Sequence, residues 1–312
     1  MNQRSFSDLA YENKKKTTRK ELLLNEMERI IPWDLFLSLI DKKRVNHPMG
    51  RPLTSNKVLL RCYFMQQWFN LSDPAMEDSL YDTEPMRRFA GVDLDNIPDE
   101  SSIQRFHQFL AEHELTEQLL MLTNEYLGDK GLLLKEGTIV DATIISAPRS
   151  TKNKDHKSSP EMRSTRKGNN WHYGMKIHIG TDLQGRVHHV KVTDAAAHDS
   201  TVMDDLLHSE EKSIYGDKAY ANEEKAAAAK ASGVDWRVSR KAKKNRKLNC
   251  ADKSFNRKSN RTRAKVEHVF GVVKHLWGYR KTRYRGLHKN ACQAYTLMAL
   301  ANLYLSRREL AN

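Results

Sequence analysis

Three acidic residues stand where an acid is not the ordinary choice. Asp141 interrupts the β-branched run Thr138-Ile139-Val140-Asp141-Ala142-Thr143-Ile144-Ile145, Asp217 follows Ser213-Ile214-Tyr215-Gly216, and Glu267 lies in Arg263-Ala264-Lys265-Val266-Glu267-His268. A lone charge inside an apolar strand costs on the order of several kcal/mol unless it is paired or binds metal. Carboxylates from separate elements suit hard divalent cations, because magnesium takes oxygen ligands, keeps several waters and lets a phosphate complete its shell. Two such ions about 3.5–4 Å apart serve phosphodiester cleavage, one activating water or a 3′ hydroxyl and the other stabilising the leaving oxygen. Taken singly, each acid also has an ordinary explanation. Asp141 can reach solvent at a strand edge, Asp217 can serve a turn or cap, and Glu267 stands four residues from Arg263, the spacing of a helical ion pair.

Glu267 is the most informative of the three because its surroundings read as a helix, expected from Arg263 to Trp277. At about 100° per residue, Val266, Val269, Phe270, Val273 and Trp277 gather on one face, which should pack on a sheet. Arg263, Glu267 and Lys274 gather on an adjacent stripe, and an i, i+4 pair leaves Lys274 unexplained because its i+7 spacing is too long.

The elements that must position these acids change character along the chain. Residues 1–20 are polar, end in a basic run and read as a flexible arm. Residues 21–134 are helical by periodicity, with helix starts at Ser72-Asp73-Pro74 and Pro98-Asp99-Glu100-Ser101-Ser102. These helices suit either a helix-turn-helix or a plain bundle that mediates dimer contacts, and the pattern does not choose. From residue 135 the texture is mixed: a strand carries Asp141, a hairpin runs from Tyr173 to Thr193 about the Thr181–Gly185 loop, and a short strand ends at Asp217. Helices follow from Asn222 to Ser232, through Glu267, and from Asn290 to Arg308. Asp199 is expected to cap a helix begun at His198. This order is that of a mixed sheet flanked by helices, an α/β ribonuclease H-like core occupying 135–312 behind an all-α N-terminal domain.

The net charge of +14 and pI of about 9.6 favour a polyanionic partner. Between Trp236 and Lys289, 19 Lys or Arg stand against only Asp252 and Glu267, a balance of +17 that exceeds the whole chain's, so the remainder is slightly acidic. Aromatic residues are interleaved there (Phe255, Phe270, Trp277, Tyr279, Tyr284), as phosphate contact with base stacking would use; a solvated basic face is the plainer alternative. Residues 237–260 read as a basic loop without periodicity. Three separated cysteines exclude a disulfide framework or structural zinc site, and the absence of any long apolar run or signal core leads us to expect a cytoplasmic chain without membrane attachment.

The three acid-bearing segments, together with Gln66–Asp73, Ser150–Lys154 and Lys167–Lys176, resemble the bacterial insertion-sequence transposases of the DDE class. They are most similar to the insertion-sequence-five family within the insertion-sequence-four-like superfamily. The resemblance spans nearly the whole chain. In related families the third motif reads Tyr, two residues, Arg, three residues, Glu, six residues, Lys; Arg263, Glu267 and Lys274 keep that spacing, and Asn260 replaces the Tyr.

The resemblance implies that Asp141, Asp217 and Glu267 are catalytic and hold two Mg2+ ions, for which Mn2+ can substitute. It implies DNA contacts from Arg263 and Lys274, and from Lys241, Lys243, Lys244 and Arg246 of the basic insertion. The partners would be double-stranded DNA, both terminal inverted repeats and target, engaged by a homodimer in the bacterial nucleoid. The helical region would bind ends and dimerise. Each 3′ end would be hydrolysed and each 3′ hydroxyl would then attack target DNA. Two alternatives stay open: a nuclease of the same fold that cuts without joining, and a non-catalytic DNA-binding regulator. His172 and His198 are read as orienting or structural rather than catalytic.

Overall fold

The computed structural model describes residues 11, 14–44, 53–149, 159–242 and 247–311. Lys243, Lys244 and Arg246, the Ser150–Lys154 segment and most of the N-terminal arm lie outside them.

The helical part begins with α1 (Arg19–Ile30), α2 (Trp33–Asp41) and α3 (Asn56–Phe69), continues through α4 (Asp73–Asp82), α5 (Glu84–Ala90) and α6 (Glu100–Glu112), and ends with α7 (Leu115–Asp129). Their starts are written in the sequence. Thr18, Ser72 and Asp99 each accept a backbone N–H from three residues on, and Pro74 stands in the first turn of α4, where its missing N–H costs nothing. Every residue of α3 from Leu59 to Trp68 is buried, so it is the axis around which the other helices pack.

The sheet order is β2 (Arg163–Lys167), β3 (Asn170–Thr181), β1 (Gly137–Ser146), β5 (Ser213–Gly216), β6 (Asp235–Val238), with β4 (Val187–Asp194) also on β3. β1, β3 and β4 pair antiparallel, whereas β1/β5 and β5/β6 are parallel. The helix α8 (Glu223–Ala231), capped by Asn222, makes the crossover between β5 and β6. This is the expected mixed sheet with flanking helices, a ribonuclease H-like core, and the β3–β4 hairpin forms where its turn residues place it. Asp182 organises that turn: it is fully buried, and its carboxylate accepts from the backbone N–H groups of Gln184, Arg186 and Leu134 at 2.8–3.1 Å.

Helix α11 (Leu287–Leu305) joins the two parts. It packs on α7 and on β4, and Tyr63 and Gln67 of α3 bond Thr296 and Gln293 of α11 at 3.0 and 2.9 Å. The apolar core accordingly runs without interruption from Leu24 through Ile139 to Leu303. Asn302 is the polar peg in this interface. Fully buried, it takes the Val187 N–H on its carbonyl and gives its amide to Val187 O and Asn124 Oδ1, at 2.7–2.9 Å. Asn302→Ala strands both main-chain groups of Val187, and we expect a loss of about 2–4 kcal/mol, read in urea unfolding as a lower midpoint.

At the end of the sheet away from the acids, three histidines crowd together. His188 Nδ1 lies 2.6 Å from His189 Nδ1, its Nε2 3.2 Å from Thr138 Oγ1, and its ring 5.3 Å from that of His208, beside buried Glu211. Burial, then the repulsion of His189 and His208, push His188 down to about 3 from 6.5. A histidine kept neutral by the fold binds fewer protons than in the unfolded chain, so its stabilisation is full above about pH 6.5 and is lost as pH falls toward 3. We expect the melting temperature to fall through pH 6.5 to 4.5, at up to about 1.4 kcal/mol per pH unit from this residue. The slope should be shallower in His188→Asn.

Candidate active site

Parallel pairing of β1 with β5 runs through Val140↔Gly216, and the next residues on the two strands are Asp141 and Asp217. In-register neighbours of parallel strands lie about 4.8 Å apart and project to one face, and Asp217 keeps extended backbone angles (φ −77°, ψ 176°). The sheet therefore sets two carboxylates side by side where the strands part. Gly216 permits this: a Cβ there would stand 3.1 Å from Val140 and 3.3 Å from Tyr220.

The electrostatics record the crowding. Burial pushes the Asp141 carboxyl up to about 6, opposed by the Ala142 N–H at 2.8 Å and by Arg263, reinforced by the negative charge of Asp217, and opposed again by Lys167. Asp217 Oδ1 accepts from Ala219 N at 2.7 Å, which fixes the carboxylate as cap of the Lys218–Tyr220 turn. The turn-capping explanation for Asp217 thus holds, alongside its place in the pair. Tyr220 lies behind both acids, almost fully buried with its hydroxyl unpartnered, and burial together with Asp199, Asp141 and Asp217 raises its pKa.

Glu267 and its neighbours depart from the single expected helix. The stretch read as a basic loop contains the end of β6 and most of α9 (Cys250–Arg263), opened by a reciprocal capping box between Asn249 and Asp252. This helix carries Arg263 at its end, and the chain passes through a tightened turn at Ala264-Lys265, both with helical backbone angles, into α10 (Val266–Phe270), which widens into a π-helical turn over Gly271–Leu276. The predicted apolar face survives, since Val266, Val269, Val273 and Trp277 are buried. Of the predicted polar stripe, the i, i+4 pair of Arg263 and Glu267 forms, with Glu267 Oε1 3.7 Å from Arg263 and Glu267 65% exposed. Arg263 lies near enough for its charge to act on Asp141, and Lys274 bonds Thr143 Oγ1 and Ile144 O at 2.9 and 2.8 Å, bracing β1 beside Asp141. Burial, followed by Lys167 and Arg280, lowers the Lys274 pKa.

The three acids are thus not gathered equally. Asp141 and Asp217 form a pair within reach of the Arg263 charge, and Glu267 is exposed and paired with Arg263 instead. Among the described residues, no three His, Cys, Asp or Glu side chains stand close enough together to hold a metal ion. The pair nevertheless suits a hard divalent cation: its donors are all oxygen, held by the fold at a cost in like charge that a cation relieves. A cleft of about 840 Å³ opens beside Asp217, lined by His198, Asp217, Lys218, Lys241, Asn260 and Arg263. Of the four basic-insertion residues expected to touch DNA, Lys241 is described, and it is exposed on this wall.

A further expectation needs revision and one residue was missed. His198, rather than Asp199, caps the turn at 199–202, its Nδ1 accepting from Ser200 N at 3.3 Å; Asp199 instead binds Lys176 at 2.9 Å. Lys167 acts on both Asp141 and Lys274, although it lies 26 residues from the nearer of them. Its signal in the sequence was Gly168 between two basic or aromatic segments, the mark of a tight hairpin.

A ribonuclease H-like sheet with paired acids at the parting of β1 and β5 is a scaffold for phosphoryl transfer on nucleic acid. Residues 133–303 match the family described as the transposase DDE domain, and residues 11–108 match a transposase domain (DUF772). The first match covers more than half of the chain, which therefore belongs to the DDE transposases and to DNA transposition and recombination. Among the described residues no helix is long and apolar enough to cross a membrane.

Because α9 buries little beyond Ser259, its cap carries much of its stability. Asn249→Ala should cost about 1 kcal/mol locally, seen as amide exchange roughly 5-fold faster across residues 251–257 with the sheet amides unchanged.

Proposed function

We propose that this chain is an insertion-sequence transposase of the insertion-sequence-five type that hydrolyses the 3′ ends of its element and joins them to target DNA, with Asp141, Asp217 and Glu267 as its catalytic acids. The observation that carries this reading is the in-register placement of Asp141 beside Asp217, the latter lining a basic cleft. Divalent cations, Mg2+ or Mn2+, would be held by these acids and when bound would activate the attacking oxygen and offset charge on the leaving one.

The residues of the chain divide the remaining work. Asp141 and Asp217 supply a rigid pair of oxygens, the first fixed by the Ala142 N–H and the second by the Ala219 N–H. Glu267 is exposed and loosely paired, so it joins the other two by leaving Arg263. That exchange frees the Arg263 guanidinium for a phosphate, a charge-assisted bond that Arg makes in bidentate fashion. Lys274 spends two of its N–H groups on β1 and keeps one for DNA. Lys241, with Lys243, Lys244 and Arg246, would follow the backbone of the transposon end, and the helices of residues 21–134 would bind ends and pair subunits. A joining activity is favoured over bare nuclease by the second family match, which extends the transposase likeness into the helical region.

Asp141→Asn and Asp217→Asn should each lower cleavage of the element's end DNA in magnesium by at least about 10³-fold, with Glu267→Gln comparably impaired and all three folded by circular dichroism. Wild-type rates in Asp141→Asn would refute the assignment. Cleavage without strand transfer by the wild type would leave the nuclease alternative standing.

A further inference from the structure

Among the described large apolar side chains that face solvent, Trp171 is the most exposed, at 67%. It sits at the start of β3, in a hairpin whose other strand is β2, and the hairpin is built to hold it out. Trp171 pairs across the ladder with Arg166, and Lys167 pairs with Asn170 about a turn at Gly168 (φ +61°). Arg166 Nε donates to Gly168 O at 3.1 Å, which stiffens the tip. At the base, the Tyr173 hydroxyl donates to Ser159 O at 2.8 Å and the Arg149 guanidinium lies 5.4 Å from the Tyr173 ring centroid.

An exposed indole on a stiff ribbon is unusual, since Trp is highly buried on average. Its neighbours narrow what would cover it. Arg163, Arg166 and Lys167 are all exposed around it, a setting hostile to a purely apolar partner and favourable to one that is both polyanionic and aromatic. Nucleic acid is that partner, because a cationic ribbon follows the phosphates while the indole stacks on a base. Position narrows it further. β3 pairs directly with β1, the strand that carries Asp141, and Lys167 at the hairpin tip lies near enough for its charge to act on Asp141 and on Lys274, so the hairpin extends from the acid-bearing part of the sheet. Bases within a duplex are already stacked and present only their edges to the grooves. A base able to meet an indole face-on must be unpaired.

We propose that Trp171 is a positioning residue that stacks on an unpaired base beside the phosphate to be cut, with Arg166 and Lys167 gripping the flanking backbone. This inference rests on the reading of the substrate as DNA engaged over Asp141 and Asp217, and it adds a requirement of its own, local opening of the strand. The hairpin would recognise strand opening, not sequence, because every base offers a π-face.

Its test is made with the full chain in EDTA, where no cleavage enters the readout. The probes are a blunt duplex and the same duplex ending in a short single-stranded tail that carries 2-aminopurine. The wild type should bind the tailed probe about 10-fold more tightly than the blunt one and quench its fluorescence. Trp171→Ala should bring tailed binding down to the blunt level, leave blunt binding unchanged and abolish the quenching, whereas Trp171→Phe should keep most of both. An unchanged tail-to-blunt ratio in Trp171→Ala would overturn the proposal. So would a ratio unchanged while sedimentation shows a lost dimer, which would make the indole a subunit contact. Loss of the tail preference with normal cleavage in Asp141→Asn would instead keep the stacking role and reject the acid assignment.

Discussion

Two like charges held side by side by a parallel β-ladder are the constraint around which this molecule is arranged. Backbone pairing of Val140 with Gly216 leaves Asp141 and Asp217 no separate places to go, and the sheet that fixes them also withholds water from Asp141. Such a pair is costly in a folded protein unless positive charge is brought to it. Two cations of this chain act on Asp141, Arg263 from the end of α9 and Lys167 from the hairpin tip, and a third, Lys274 from the π-helical turn, bonds β1 just beyond it. They arrive from elements far apart in sequence, so the site's electrostatic balance is a property of the whole core.

Arg263, at the end of α9, lies near enough to Asp141 for its charge to act on it, while Lys274, in the widened turn at Gly271–Leu276, bonds Thr143 Oγ1 and Ile144 O two and three residues further along β1. The two cations thus meet the acid-bearing strand at successive points, on the face that carries Asp141. Glu267 stays exposed beside Arg263. A third acid pressed against Asp141 and Asp217 would add to their repulsion, and Arg263 holds it at arm's length.

Much of this was legible in the chain itself, and what was not has identifiable causes. The strand around Asp141, the hairpin about Asp182, the caps at Ser72, Asp99 and Asn222 and the buried face of Val266, Val269, Val273 and Trp277 follow from local rules of alternation, turn chemistry and capping, which tertiary contacts here reinforce. α9 escaped those rules because its sequence CADKSFNRKSNRTR has almost no apolar periodicity; its helix is held by the Asn249–Asp252 box and by bonds such as Asn256 to Arg240. The widened turn at Gly271–Leu276 was illegible for a different reason. Helical face arithmetic assumes an unbroken 3.6-residue period, and this π-helical turn lies inside the counted window, between Glu267 and Lys274. The Arg263–Glu267 spacing, ahead of it, keeps its helical pairing.

Separation of Glu267 from the pair also bears on how such a site avoids acting on the wrong molecule. Two carboxylates already aligned by the sheet form a floor that needs no rearrangement, whereas the third acid is tethered to the arginine best placed to meet a phosphate. On the proposed assignment, a polyanion entering the basic cleft would compete with Glu267 for Arg263, and success in that competition would release the carboxylate toward the pair. Exposed ion pairs of this length are worth little, about 0–1 kcal/mol, so a single phosphate suffices to shift the balance. Assembly of the acids would then be coupled to occupancy of the cleft by DNA, through one guanidinium that cannot serve both anions at once.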